Sequence, residues 1–180
     1  MAHFKDIESF LSTLQGKIRE QLPNIIAETA TEFFKERFRT KEWDGSTWPQ
    51  TKRIIQKGSL LVRTSSLVNS IRPSLVSADM VRISAGNGKV PYAQIHNEGG
   101  ELHPKVTPAM RKWAWAKFYK ENGGSVKGKK SESLKGNFYK SLALTKKTEL
   151  NITIPKRQFM GHSVRLNSKI VERIKGLLND

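Results

Sequence analysis

The spacing of apolar residues switches four times along this chain between helical and strand periods, and that alternation restricts the fold more than any other feature. Between residues 4 and 39, Phe4, Ile7, Leu11, Leu14 and Ile18, then Ile25, Ile26, Phe33, Phe34 and Phe38, recur at helical spacing. Pro23 interrupts the pattern, which predicts either two helices or one helix kinked near Leu22. Between residues 74 and 85 the period falls to two. Val81 and Ile83 alternate with Arg82 and Ser84, which predicts strands at 74–77 and 80–85. The segment 90–96 continues as a third predicted strand, with Tyr92 and Gln94 on the face opposite Ala93 and Ile95. Helical spacing returns at 107–121 behind a Thr-Pro start, and again at 167–178 through Ile170, Val171, Ile174, Leu177 and Leu178. A last strand is predicted at 149–154, where Leu150, Ile152 and Ile154 alternate before Pro155 and share a proposed core face.

Helix, strands, helix, strand, helix is an α+β order: a small antiparallel sheet packed with N-terminal and C-terminal helices. One domain over 1–180 accommodates it, with a basic, partly flexible helical excursion at about 101–148. Short connections fill the rest. EWDGSTWPQ at 42–50 is a loop by its Asp-Gly and Trp-Pro pairs, and its two tryptophans anchor it on the core or on a neighbouring subunit. Thr64 is placed to cap a short helix that carries Leu67 and Ile71 and stops at Pro73.

Charge concentrates in the excursion. Lys and Arg outnumber Asp and Glu by 32 to 16, a formal net charge of +16. From Lys105 to Lys147 twelve cations face only Glu121 and Glu132, so +10 of the total lies there. Trp113, Trp115, Phe118, Tyr119, Phe138 and Tyr139 are interleaved with them. Lysines mixed with aromatic rings suit a phosphate backbone and stacked bases, with Lys127, Lys129, Lys130 and Lys135 as candidate polyanion contacts. The plainer alternatives are a solvated face over a small core, or a loop that reaches an acidic neighbouring subunit.

Catalytic signatures are sparse. In YAQIHNEGG, at 92–100, His96 stands two residues before Glu98, yet a metalloprotease helix needs two histidines four apart. Zinc deaminases pair His-x-Glu with cysteines, and the chain contains none. His103 joins His96 and Glu98 only through tertiary folding. Phosphate-binding glycine loops and a nucleophile elbow are missing. The expectation is no catalytic residue, no metal site and no cofactor, but a structural corner in which Gly99 and Gly100 allow a backbone geometry that a side chain would block, and Tyr92 and His96 fix it through packing and hydrogen bonds. No apolar run approaches the roughly 18 residues of a membrane span, so a soluble intracellular protein without membrane contact is expected.

Three segments together resemble a known family. LVRTSSLVNSI at 61–71 resembles the Leu-x-x-Thr-Gly-x-Leu-x-x-Ser-Ile block of phage virion morphogenesis proteins, the tail-completion group of tailed bacteriophages and Mu-like prophages. The corner at 92–100 is similar to that family's Tyr-Ala-x-x-His-x-x-Gly, and IPKRQFMG at 154–161 to its Ile-Pro-x-Arg-x-Phe-hydrophobic-Gly. The matching positions are Thr64, Leu67, Ser70, Ile71, Tyr92, His96, Gly99, Pro155, Arg157, Phe159 and Gly161. Ser65 stands where the family has Gly, which alters the entry to the short helix. Gln158 replaces a common Pro, which loosens the approach to Phe159. The resemblance implies a non-enzymatic structural protein that completes the tail or joins it to the head, as a homo-oligomeric ring. Its implied partners are other tail or head-tail connector proteins, with DNA contact in the lumen, in the host bacterial cytoplasm and then at the tail or head-tail junction. A non-specific DNA-binding protein working through 105–147 is the alternative.

Overall fold

A computed structural model describes residues 2–51, 58–121 and 134–179 of the chain. The predicted N-terminal pattern forms one helix, α1 (Ala2–Thr40), with Pro23 inside it. An interior proline costs about 3 kcal/mol through its lost N–H and its ring. Burial of the following turns offsets that cost, since Pro23 is itself buried and Ala27, Ala30, Phe33, Phe34 and Phe38 all enter the core.

EWDGSTWPQ contains a small hairpin, β1 (Glu42–Trp43) and β2 (Ser46–Thr47), turned by Asp44 and Gly45 at φ 46° and 91°. Asp-Gly with both φ positive is the turn that matches strand twist. Its tryptophans seat on the core: Trp43 lies beside Phe33 and Phe34, and Trp48 is 3% exposed against Phe38. Next come α2 (Ser66–Asn69), β3 (Arg72–Val76) and β4 (Val81–Ser84), the strands pairing antiparallel with an irregularity between Pro73 and Leu75.

The third predicted strand is instead a helix, α3 (Ala93–Glu98). A short alternating run fits both periods, and backbone hydrogen bonding decides. The N–H of His96 donates to Tyr92 O at 3.3 Å and that of Gly99 to Ile95 O at 2.9 Å, the four-residue bonds of an α-helix. Gly100–Leu102 forms β5, then come α4 (Pro108–Glu121), α5 (Leu134–Leu144), β6 (Ile152–Ile154) and α6 (Val164–Asn179). The α+β class holds, with the antiparallel pairing distributed over three two-stranded sheets.

The chain divides into two compact units, residues 1–100 with 155–180, and residues 101–154. In the first, α1 packs against α6 and the β3–β4 hairpin. Its core joins Phe33, Phe34 and Phe38 to Trp48, Leu67, Ile71, Val90, Ala93, Phe159 and Leu166. Ser163 caps α6: its Oγ accepts the N–H of Leu166 at 3.2 Å and donates to Asp44 Oδ1 at 2.5 Å. Ion pairs add to the frame, Arg37 with Glu42 at 3.3 Å and Arg173 with Glu32 at 2.5 Å. Val171, assigned to an apolar stripe by spacing, is 49% exposed.

The second unit is a helical hairpin on a strand pair. Thr107 caps α4 as expected, its Oγ1 accepting the N–H of Met110 at 3.1 Å. Helix α5 was not legible, because Gly136 and Asn137 in its first turn are poor helix formers. Packing decides it: Ala114 is fully buried, Ala143 is 5% exposed, and Trp113 meets Tyr139 edge-on at 5.6 Å. Beside the pairing of β5 and β6, Val106 donates to Thr148 O and Leu150 to Pro104 O. Ile152 does not lie on a buried face. It is 40% exposed, and Ile154 is the half-buried residue of β6. No helix among the described residues is long and apolar enough to cross a membrane.

Candidate functional site

The three motif segments, far apart in sequence, meet in the first unit. Leu67 from α2, Ile71 just after it, Ala93 from α3 and Phe159 from the segment after β6 belong to one buried cluster. Polar contacts fix their relative register. Asn97 Oδ1 accepts the backbone N–H groups of Phe159 and Met160, both at 2.9 Å. The carbonyl of His96 accepts the N–H of Arg157 at 2.9 Å. Ser70, 5% exposed, donates its hydroxyl to Leu67 O at 2.6 Å and accepts the N–H of Gly86 at 2.9 Å. Each short polar side chain substitutes for a backbone partner where the chain turns away from regular pairing.

Thr64 does not cap α2. Its Oγ1 lies 2.8 Å from Ser66 Oγ, and Ser65 occupies the cap position with no side-chain cap bond. Ser65 has a left-handed backbone, φ 57°, a conformation that glycine takes without strain and an L-residue resists. At the other end of the corner, Gly99 terminates α3 at φ 76°, and a Cβ there would sit 2.8 Å from the backbone nitrogen of Lys156. Only glycine permits that approach. Gly100 and Gly161 also have positive φ, 150° and 145°.

Tyr92 and His96 stack edge-on at 5.7 Å, one helical turn apart. Packing therefore holds the pair, but the expected side-chain hydrogen bond is missing: His96 Nδ1 is buried without a partner. Burial first, and the Arg157 charge second, hold the imidazole below its ordinary pKa. Arg157 is 7% exposed, donates Nε to Pro49 O at 2.9 Å, and has its own pKa lowered by burial. Pro155 is half-buried. Gln158, expected to loosen the approach to Phe159, donates its side-chain amide to Met160 O at 3.3 Å, while its backbone carbonyl, which any residue there supplies, accepts Trp48 Nε1 at 2.7 Å.

The residues weighed for catalysis have ordinary partners. Glu98 accepts the side-chain amide of Gln94 at 3.1 Å. His103 belongs to the second unit, with Nδ1 3.0 Å from Asn151 Oδ1 and Nε2 3.6 Å from Glu101. Among the described residues no group of three His, Cys, Asp or Glu is placed to hold a metal ion. Lys127, Lys129 and Lys130 lie outside the described residues, as does the side chain of Lys135. Most of the segment 125–137, expected to be mobile, lies outside them as well; its last four residues begin α5.

Asn97 and Ser163 were missed as organising residues. For Asn97 the signal was its type, a short amide two residues before a glycine pair, suited to accept backbone N–H groups. No family model, curated protein or solved structure matches the chain.

Proposed function

We propose that this protein is a structural subunit of phage virion assembly that completes the tail or helps join it to the head, acting as one member of a homo-oligomeric ring and not as an enzyme. The observation that carries the reading is the backbone of Ser65. The family block has glycine at this position, and the chain holds a left-handed φ of 57° there, the geometry for which glycine is suited. A resemblance in residue types is thus matched by a backbone demand that the residue types alone did not contain. The convergence of the three blocks on one core, through Leu67, Ile71, Ala93 and Phe159, supports it further.

Deleting the coding sequence from the phage or prophage that carries it tests the role. Electron microscopy of the lysate is expected to show heads and tails left unjoined, or unfinished tails, with infectivity restored by the gene in trans. Normal infectious particles from the deletion would overturn it. Light scattering after size exclusion in moderately high salt addresses the ring, for which a single closed oligomer is the expected result.

One observation favours the second reading, DNA contact through the excursion. Trp113, Tyr119 and Phe138 are exposed at 49%, 39% and 40% on helices that carry Lys112, Lys117, Lys120 and Lys140. Binding to generic DNA that weakens steeply with salt, and weakens further in Trp113→Ala with Lys112→Ala, is its signature.

A further inference from the structure

The N-terminal part of α1 carries an apolar seam that is exposed at Ile7 and Leu11. Before Pro23, Phe4, Ile7, Leu11, Leu14, Ile18 and then Gln21 alternate in steps of three and four, the a and d pattern of a coiled coil. Ile7 is 54% and Leu11 50% exposed, and Ile18, nearer the body, is half-buried.

The seam is not a continuation of the core stripe. At 3.6 residues per turn, the direction from Phe4 through Ile18 lies roughly 140° around the helix from that of Ala27, Ala30, Phe33, Phe34 and Phe38. Those five residues face the buried core. The helix therefore changes the face it offers near Pro23, inward after it and outward before it.

Charge selects the occupant. The whole chain carries +16, so two copies repel over most of their surface. From residue 4 to residue 22, Lys5, Lys17 and Arg19 are balanced by Asp6, Glu8 and Glu20, leaving this stretch neutral. An apolar seam on a neutral helix is the place where two strongly cationic copies can approach. Gln21, the single polar seam position, sets the orientation. A parallel pair in register places Gln21 against its own counterpart, where the amides bond to each other, whereas antiparallel pairing sets it against apolar residues. We infer that this helix pairs with the same segment of a second copy as a parallel, in-register coiled coil.

The inference does not rest on a role in virion assembly, and failure of that role leaves it standing. Because the chain has no cysteine, engineered thiols report on the pairing directly. Leu11→Cys, on the seam, is expected to give a disulfide-linked dimer under mild oxidation, while Arg19→Cys, off the seam, stays largely uncrosslinked. Sedimentation is expected to show reversible self-association of the unmodified chain in moderately high salt. Leu11→Glu should weaken it at least 100-fold and Thr13→Glu less than threefold, with the tryptophan-monitored unfolding of both unchanged. Equal crosslinking at positions 11 and 19, no crosslink at 11, a monomeric parent chain, or association that survives Leu11→Glu would each overturn it.

Discussion

Asn97 holds Phe159 from a distance of 62 residues in sequence, its side-chain oxygen accepting the N–H of Phe159 and of Met160, each at 2.9 Å. One carbonyl thereby satisfies two consecutive donors beside a ring that is 1% exposed. Asn97→Ala orphans both, and each unsatisfied donor costs about 1–3 kcal/mol. The expected loss is roughly 2–4 kcal/mol in urea unfolding. Asn97→Asp keeps an acceptor and should stay within about 1 kcal/mol of the parent. Equal losses in the two variants would assign the effect to packing rather than to the shared oxygen.

How much of this corner was legible in advance follows from what each residue needs from its surroundings. Phe33 and Phe38 recur at helical spacing, Leu67 and Ile71 stand four apart, Phe159 lies in the block IPKRQFMG, and all five are buried. Gly99 was read as a backbone position, and its φ of 76° requires glycine. The segment 90–96 differs from its expectation because a run that short is compatible with either period, and only the four-residue backbone bonds of α3 separate them. Helix α5 and the exposure of Ile152 depended on tertiary packing, which local propensity does not encode. Asn97 escaped notice because nothing in YAQIHNEGG tells which backbone it will meet.

Ser65 offers a gain rather than a loss. A left-handed backbone costs a non-glycine residue about 1–2 kcal/mol, while glycine's extra freedom in the unfolded chain returns part of that. Ser65→Gly is therefore expected to stabilise the chain by roughly 0.5–1 kcal/mol, raising Tm by about 1–4 °C. Gly99→Ala works in the opposite sense. It combines positive φ with a Cβ placed 2.8 Å from Lys156 N, and a fall of more than about 2 kcal/mol is expected. A stabilising Gly99→Ala, or a destabilising Ser65→Gly, would contradict these backbone conformations.

His96 makes stability depend on mild acid. Its folded pKa lies below the ordinary value of 6.5, through burial and the nearby Arg157 charge. Between the folded and the unfolded pKa the unfolded chain binds the proton more readily. The contribution is thus complete above pH 6.5 and is lost as pH falls from there through the folded pKa. His96→Gln removes this titration, so the gap in Tm between parent and variant should change across that window and stay constant above it. A parent Tm that is flat from neutral pH down to about pH 5 would refute the assignment.

The exposures of Phe159 and Ile152 give the sharpest contrast between reading by pattern and reading by contact. Alternation in the predicted strand 149–154 assigns Ile152 to a core face, whereas Phe159 lies five residues beyond that strand, in the block IPKRQFMG. Phe159 is 1% exposed and packs on Phe38 at 4.9 Å between ring centroids. Phe159→Asp removes that contact and buries a carboxylate without a partner. A loss above about 4 kcal/mol is expected, enough to unfold the first unit. Ile152 is 40% exposed on β6, so Ile152→Asp gives up a modest strand preference and little burial, about 1 kcal/mol or less. Thermal unfolding of the two variants beside the parent decides the matter. Comparable losses would restore Ile152 to a buried face, whereas a soluble Ile152→Asp next to a collapsed Phe159→Asp confirms where the core ends.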